Sequence, residues 1–239
     1  MLGRNSAAAE GGGIYNRLSS LMLTNCTVSG NSANIGGGLY GSHRSEMIIH
    51  SCAFEGNSAG NGCTLACNSY QQMWPGGYDI RNCILWDSSG QIWNNDGSEI
   101  VIIYSNVQGG ESSIYDPYNG LIWGSGNIDI DPCFADANNG DYHLKSQAGR
   151  WDPNSESWVE DNVTSLCIDA GDPASPIGYE PFPNGGIINM GAYGGTIEAS
   201  KSYFGKPVCE TIVAGDINGD CIVNFKDFAI MAYHWLEQR

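Results

Sequence analysis

Residues 21–40 read LMLTNCTVSGNSANIGGGLY, and residues 47–66 read MIIHSCAFEGNSAGNGCTLA. The two align without a gap. Asn-Ser-Ala starts at Asn5, Asn31 and Asn57, a period of 26 residues. GGGIY (11–15) and GGGLY (36–40) follow the first two copies, and the degraded NGCTL (61–65) follows the third. A further copy, YDIRNCILWDS (78–88), comes after a longer step. IVIIYSNV (100–107) comes after a shorter one, with Ser105 in the cysteine position.

Stacking these copies gives columns. One is Leu21, Met47, Tyr78, Ile100; the next is Leu23, Ile49, Ile80, Ile102. Two residues apart, they have the alternation of a strand. Then come Cys26, Cys52, Cys83, Ser105 and Val28, Phe54, Leu85, Val107. The step of three before the cysteine column implies a corner at Asn25, Ser51 and Asn82, where a short polar side chain can bond nearby backbone. A period of 20–30 residues with apolar columns means a solenoid whose coils bury each other's inward faces. With short strands, glycine corners and no helical period, it reads as a β-solenoid. The cysteine column reads as small buried side chains, one per coil.

The composition agrees. Of 239 residues, 33 are Gly and only 15% are charged, which suits a turn-rich all-β chain better than a helical bundle. The formal net charge of −16 repels nucleic acid and anionic membranes and tolerates cations. No apolar run is long enough to span a membrane. The N-terminus lacks the apolar core of a signal peptide, and the chain reads as starting mid-repeat. The odd count of nine cysteines excludes complete internal pairing. Export would allow a Cys133–Cys167 bond; two separate thiols is the other reading.

FEGN (54–57) and VSGN (28–31) resemble the FxxN element, and GGGI and GGGL the GGA[IL] element, of polymorphic outer-membrane protein repeats. Residues 89–200 resemble the C-terminal part of the secreted choice-of-anchor Q proteins, through NCILW, IDIDPCFADANNGDYHLKSQAGRWDP, CIDAGDP and INMGAYGGT. Both resemblances imply a right-handed parallel β-helix, and the second an extracellular or cell-surface location. The expected organisation is β-helix coils over 1–125, an irregular β cap on the last coil over 126–208, and a calcium loop plus helix over 209–239.

That loop is GDINGDCIVNFKDF (215–228). Counting from Asp216, side-chain oxygens fall at positions 1, 3, 5, 9 and 12 as Asp216, Asn218, Asp220, Asn224 and Asp227, and the carbonyl of Ile222 is at 7. A hard Ca²⁺ ion needs six to eight oxygens around one point, and this register supplies them. Position 6 is Cys221 where a sharp turn favours glycine. Phe225, Phe228, Ala229, Ala232, Trp235 and Leu236 then share a helical face. The segment resembles one repeat of a type I dockerin, which uses Asp at position 12. The resemblance implies bound Ca²⁺ and a cohesin-like or other cell-surface partner. Dockerins carry two such repeats; one is found here. A Cys209–Cys221 bond would pin the loop's start.

No catalytic constellation is legible. Asp79, Arg81, Asp87, His43 and His50 are scattered, and Asp79 and Arg81 fall on the outward side of their strand. Trp74, Trp86 and Trp93 can either stack on sugar rings or cover the core. The reading is a non-catalytic secreted or surface β-helix protein that binds a glycan or a protein partner. The alternative is the C-terminal part of a polysaccharide lyase or glycoside hydrolase carrying the same anchor.

Overall fold

Alternation makes a strand, but the corner makes a coil. Asn25, Ser51, Asn82 and Tyr104 have φ of 51°, 48°, 53° and 44°, in the left-handed region that L-residues avoid without compensation. The next residue supplies that compensation. Cys26, Cys52, Cys83 and Ser105 each donate from the side chain to the carbonyl two residues back, at 3.3, 3.2, 3.1 and 3.0 Å. Later members also serve the coil before them. The Cys52 N–H donates to Cys83 Sγ, the Cys83 N–H to Ser105 Oγ, and the Ser105 N–H to Asn127 Oδ1. The cysteine column is therefore a ladder of corner clasps as well as packing, which explains why serine replaces cysteine at 105. Cys133 and Cys167 are separate thiols.

The computed structural model describes residues 1–69, 74–87 and 90–204, together with 215, 223, 225, 227–229 and 232. After β1 (Leu2–Gly3), the first coil holds β2 (Ile14–Arg17), β3 (Ser20–Thr24), β4 (Thr27–Ser29) and an arm strand, β5 (Ser32–Ile35). The second repeats it with β6 (Leu39–Ser42), β7 (Glu46–His50), β8 (Ala53–Glu55) and the arm strand β9 (Ser58–Asn61). The third has β10 (Leu65–Cys67), β11 (Gly77–Arg81) and β12 (Ile84–Trp86), and the fourth β13 (Ile92–Asn94), β14 (Glu99–Ile103) and β15 (Asn106–Val107). β16 (Ile114–Tyr115) and β17 (Leu121–Trp123) begin another.

These strands stack into three five-stranded parallel sheets: β1-β4-β8-β12-β15, β2-β6-β10-β13-β16 and β3-β7-β11-β14-β17. The fold is a parallel β-solenoid of about four turns. Its register reproduces the sequence columns: Leu21–Met47–Tyr78–Ile100, Leu23–Ile49–Ile80–Ile102 and Val28–Phe54–Leu85–Val107 are lateral neighbours. Leu121 and Trp123 extend the first two by one coil. The second sheet adds Ile14, Leu39, Leu65, Ile92 and Ile114. Together these columns form one core. Tyr78 is the widest member of its column, and Gly41 makes room for it: a Cβ there would run into the Tyr78 hydroxyl.

The repeated asparagine builds a second, polar ladder inside the coil. Asn31 and Asn57 are 0% and 2% exposed. Asn31 Oδ1 accepts from the Asn5 N–H and Nδ2, and Asn57 Oδ1 accepts likewise from Asn31. The amides of Asn31 and Asn57 also donate to the Leu2 and Val28 carbonyls. Each buried amide is thus paired, which removes the cost of burying it.

The C-terminal region begins against the fourth coil, where Ile128 bridges Asn106. It runs along the solenoid beside the first sheet. The outward residues of that sheet, Thr27, Ala53, Ile84 and Asn106, are all buried. Ile84 packs with Leu144, Cys167, Ile168 and Met190. Asn25 in the first coil donates to the Ala192 and Gly194 carbonyls, and Asn82 in the third accepts from the Asp172 N–H. The apolar Ala53 and Ile84, outward on their strands, are what draw this region sideways. Two antiparallel hairpins stiffen it, β18 (Phe134–Asp136) with β19 (Asp141–Leu144) and β20 (Arg150–Asp152) with β21 (Ser157–Val159). Arg150 joins them by bridging Asp141 and Asp161, while buried His143 bonds Asp141 at 2.6 Å and stacks on Tyr193.

Ile49→Asp puts an unpaired carboxylate into the core and is expected to cost about 4 kcal/mol, whereas Met22→Asp, on the outward face of the same sheet, should change stability by less than about 0.5 kcal/mol. Chemical denaturation of both variants checks the column assignment; equal losses would refute it.

Candidate binding groove

The arm strands decide where the surface opens. In the first two coils the chain takes eight steps from ladder asparagine to second-sheet strand, Asn31 to Leu39 and Asn57 to Leu65. In the third it takes five, Asp87 to Ile92. β5 and β9 pair in parallel with each other, and among the described residues no further strand joins β9. β9 is therefore the last described step of a short stair. The arm fits tightly against the coil because Gly37 takes the place where a Cβ would press on the carbonyls of Cys63 and Ser58.

Two adjoining hollows of about 770 and 710 Å³ lie at this step and share Gly90, Ser113 and Tyr115. The floor is residues 57–63, and the wall is Ile92, Trp93 and Tyr115. The Trp93 and Tyr115 rings come from adjacent coils and stack at 6.2 Å and 19°. They continue an outward column, Tyr15–Tyr40–Ala66–Trp93–Tyr115, that includes a second stacked pair, Tyr15 and Tyr40 at 5.1 Å.

Beneath the floor, Asp87 takes the place of the next ladder asparagine. It is 2% exposed and accepts from the Asn57 N–H and Nδ2 and from Thr64 Oγ1 at 2.7 Å. Burial pushes its pKa up to about 6, against those hydrogen bonds, which pull it down.

The structure sorts the other sequence candidates. Asp79, Arg81 and His50 come together on the outward face of the third sheet: Arg81 Nε lies 2.7 Å from Asp79 Oδ1, and His50 Nε2 3.6 Å from Oδ2. Arg81 and Asp79 neutralise each other at the surface, as expected of a solvated pair. His43 is tilted against Trp74, and Trp86 packs toward the C-terminal region. Of the three tryptophans, Trp93 lines the groove. Tyr115 was not among the sequence candidates, since it follows no GGG motif; its signal is lateral register with Trp93. Among the described residues no cluster of three or more His, Cys, Asp or Glu is placed to hold a metal, and no helix is long and apolar enough to cross a membrane.

Asp216, Asn218, Asp220, Ile222 and Asn224 lie outside the described residues, as do Cys209 and Cys221. Asp227 is helical and buried. Phe225, Phe228, Ala229 and Ala232 are helical too, with Phe225 and Phe228 exposed.

Residues 94–171, about a third of the chain, match a family model described as disaggregatase related. The matched stretch runs from the fourth coil into the flanking region and agrees with a parallel β-helix. No curated protein and no solved structure matches the chain.

Asp87 gives a signed pH dependence. Its folded pKa is raised above the usual carboxylate value, so the folded protein holds the proton more tightly than the unfolded chain. Its contribution to stability is full below the unfolded pKa and is lost as pH rises through about 6. The stability of wild type relative to Asp87→Asn should therefore fall by about 2–3 kcal/mol between about pH 4 and pH 7. Urea unfolding at both pH values measures it; a pH-independent difference would contradict the assignment.

Proposed function

We propose that this chain is a non-catalytic, secreted or cell-surface β-helix protein that binds a glycan in the step groove and is held in place by a calcium-stabilised C-terminal anchor. The observation that carries the reading is the stacked Trp93–Tyr115 pair on the wall of the groove. Sugar rings present flat C–H faces that pack on aromatic rings, while their hydroxyls take hydrogen bonds from amide, hydroxyl and backbone groups. The groove offers both kinds of group. The disaggregatase-related match supports a β-helix setting for this face. Affinity electrophoresis of the full chain against a polysaccharide panel tests the reading. Trp93→Ala and Tyr115→Ala should each weaken binding by about tenfold or more, some 1.4 kcal/mol, without altering the fold. Undiminished binding by both variants would remove the groove from the function.

The anchor rests on the sequence of 216–227. Asp216, Asn218, Asp220, the Ile222 carbonyl, Asn224 and Asp227 would supply the oxygens for one Ca²⁺. Three aspartates around one point repel each other without a cation, and the ion would fix the start of the helix that follows. A single loop with Cys221 at its tight turn should bind in roughly the 10⁻⁵–10⁻³ M range. The resulting surface would dock on a cohesin-like or other cell-surface partner. Calcium titration of the full chain by calorimetry, beside Asp216→Ala, checks the site. No heat at millimolar calcium, or equal binding by the variant, would refute it.

A further inference from the structure

The lining of the groove narrows its ligand. On a chain with a net charge of −16, the described residues around both hollows are Asn, Ser, Gly, Gln, Ala, Cys, Ile, Trp and Tyr, with no acid and no base among them. Among the described residues, acidic groups lie close by. Asp87 is buried under Asn57, Glu111 flanks Ser112, and Asp129 accepts from the Gly109 N–H. A uronate or sulfated polymer would meet no cation here and would approach against the negative charge of the whole protein. A neutral sugar meets neither obstacle.

The shape points the same way. The groove lining runs along the solenoid axis from β9 in the second coil to Trp93 in the fourth and Tyr115 in the next, and on to Ser112. The outer edge of β9, which no described strand pairs with, also offers backbone groups to an extended peptide. That mode takes its specificity from pockets for alternate side chains, whereas the wall here presents a stacked pair of aromatic rings. We propose that the groove binds a neutral, polyhydroxylated saccharide chain laid along the axis, an inference that rests on the glycan-binding reading above.

The test is calorimetry of the full chain with a soluble neutral β-glucan, a neutral mannan, polygalacturonate, alginate and chondroitin sulfate, with an unstructured peptide as a sixth probe. Two variants accompany it: Trp93→Ala, and Asn61→Lys, which puts a cation on the exposed floor strand. The expected result is that a neutral polymer binds wild type independently of added salt and loses about tenfold or more with Trp93→Ala. The anionic polymers should bind only Asn61→Lys, and that binding should fall with salt. If an anionic polymer binds wild type most tightly and Trp93→Ala abolishes it, the neutral-ligand inference fails while the glycan reading survives. If no saccharide in the panel binds, or only the peptide does, both fail.

Discussion

Every feature of this molecule depends on lateral register between coils. A residue in a parallel solenoid has the same residue of the next coil as its neighbour about 4.8 Å away. Each slot in the coil must therefore be solved once and repeated, or solved jointly by adjacent coils. The Cys26–Cys52–Cys83–Ser105 clasp and the Asn5–Asn31–Asn57–Asp87 ladder are such solutions. In both, the backbone N–H of one coil is satisfied by a side chain of the next. The left-handed corner carries a steric cost, and the ladders offset it by pairing the polar groups around it.

The same constraint explains how a regular stack produces an irregular surface. The first two coils carry arms, and the corresponding turn of the third is three residues shorter. The polar ladder continues through this change with Asp87 in place of asparagine, so the interior stays in register while the exterior steps down. The step exposes β9 and gives Trp93 and Tyr115 a wall to stand on. On the first sheet, outward Ala53 and Ile84 recruit the C-terminal region, which withdraws that sheet from solvent.

The fold was legible because columns are a sequence property. Met47, Ile49, Phe54 and their partners recur at fixed spacing, and a coil-to-coil register follows from alignment alone. The corner at Asn25, Ser51 and Asn82 was legible for the same reason. What sequence could not supply was any relation between residues of unlike period. Tyr115 belongs with Trp93 only through the register of β13 and β16, and no motif marks it. The lateral course of residues 126–204 was hidden because its anchors are single outward side chains, Asn25 and Asn82, whose partners lie far along the chain. His50, Asp79 and Arg81 looked scattered because two of them sit on one coil and the third on the coil below.

Filling the step tests the account most directly. Replacing Ser88–Ser89–Gly90 with the arm sequence of residues 58–63 would stack a third arm rung on β9 and leave Trp93 and Tyr115 chemically unchanged. The decisive measurement is the polysaccharide-binding isotherm of that variant, taken once its circular dichroism matches wild type. Loss of binding by a folded variant is the result expected if the missing rung is what creates the site. Wild-type affinity with the step filled would contradict it.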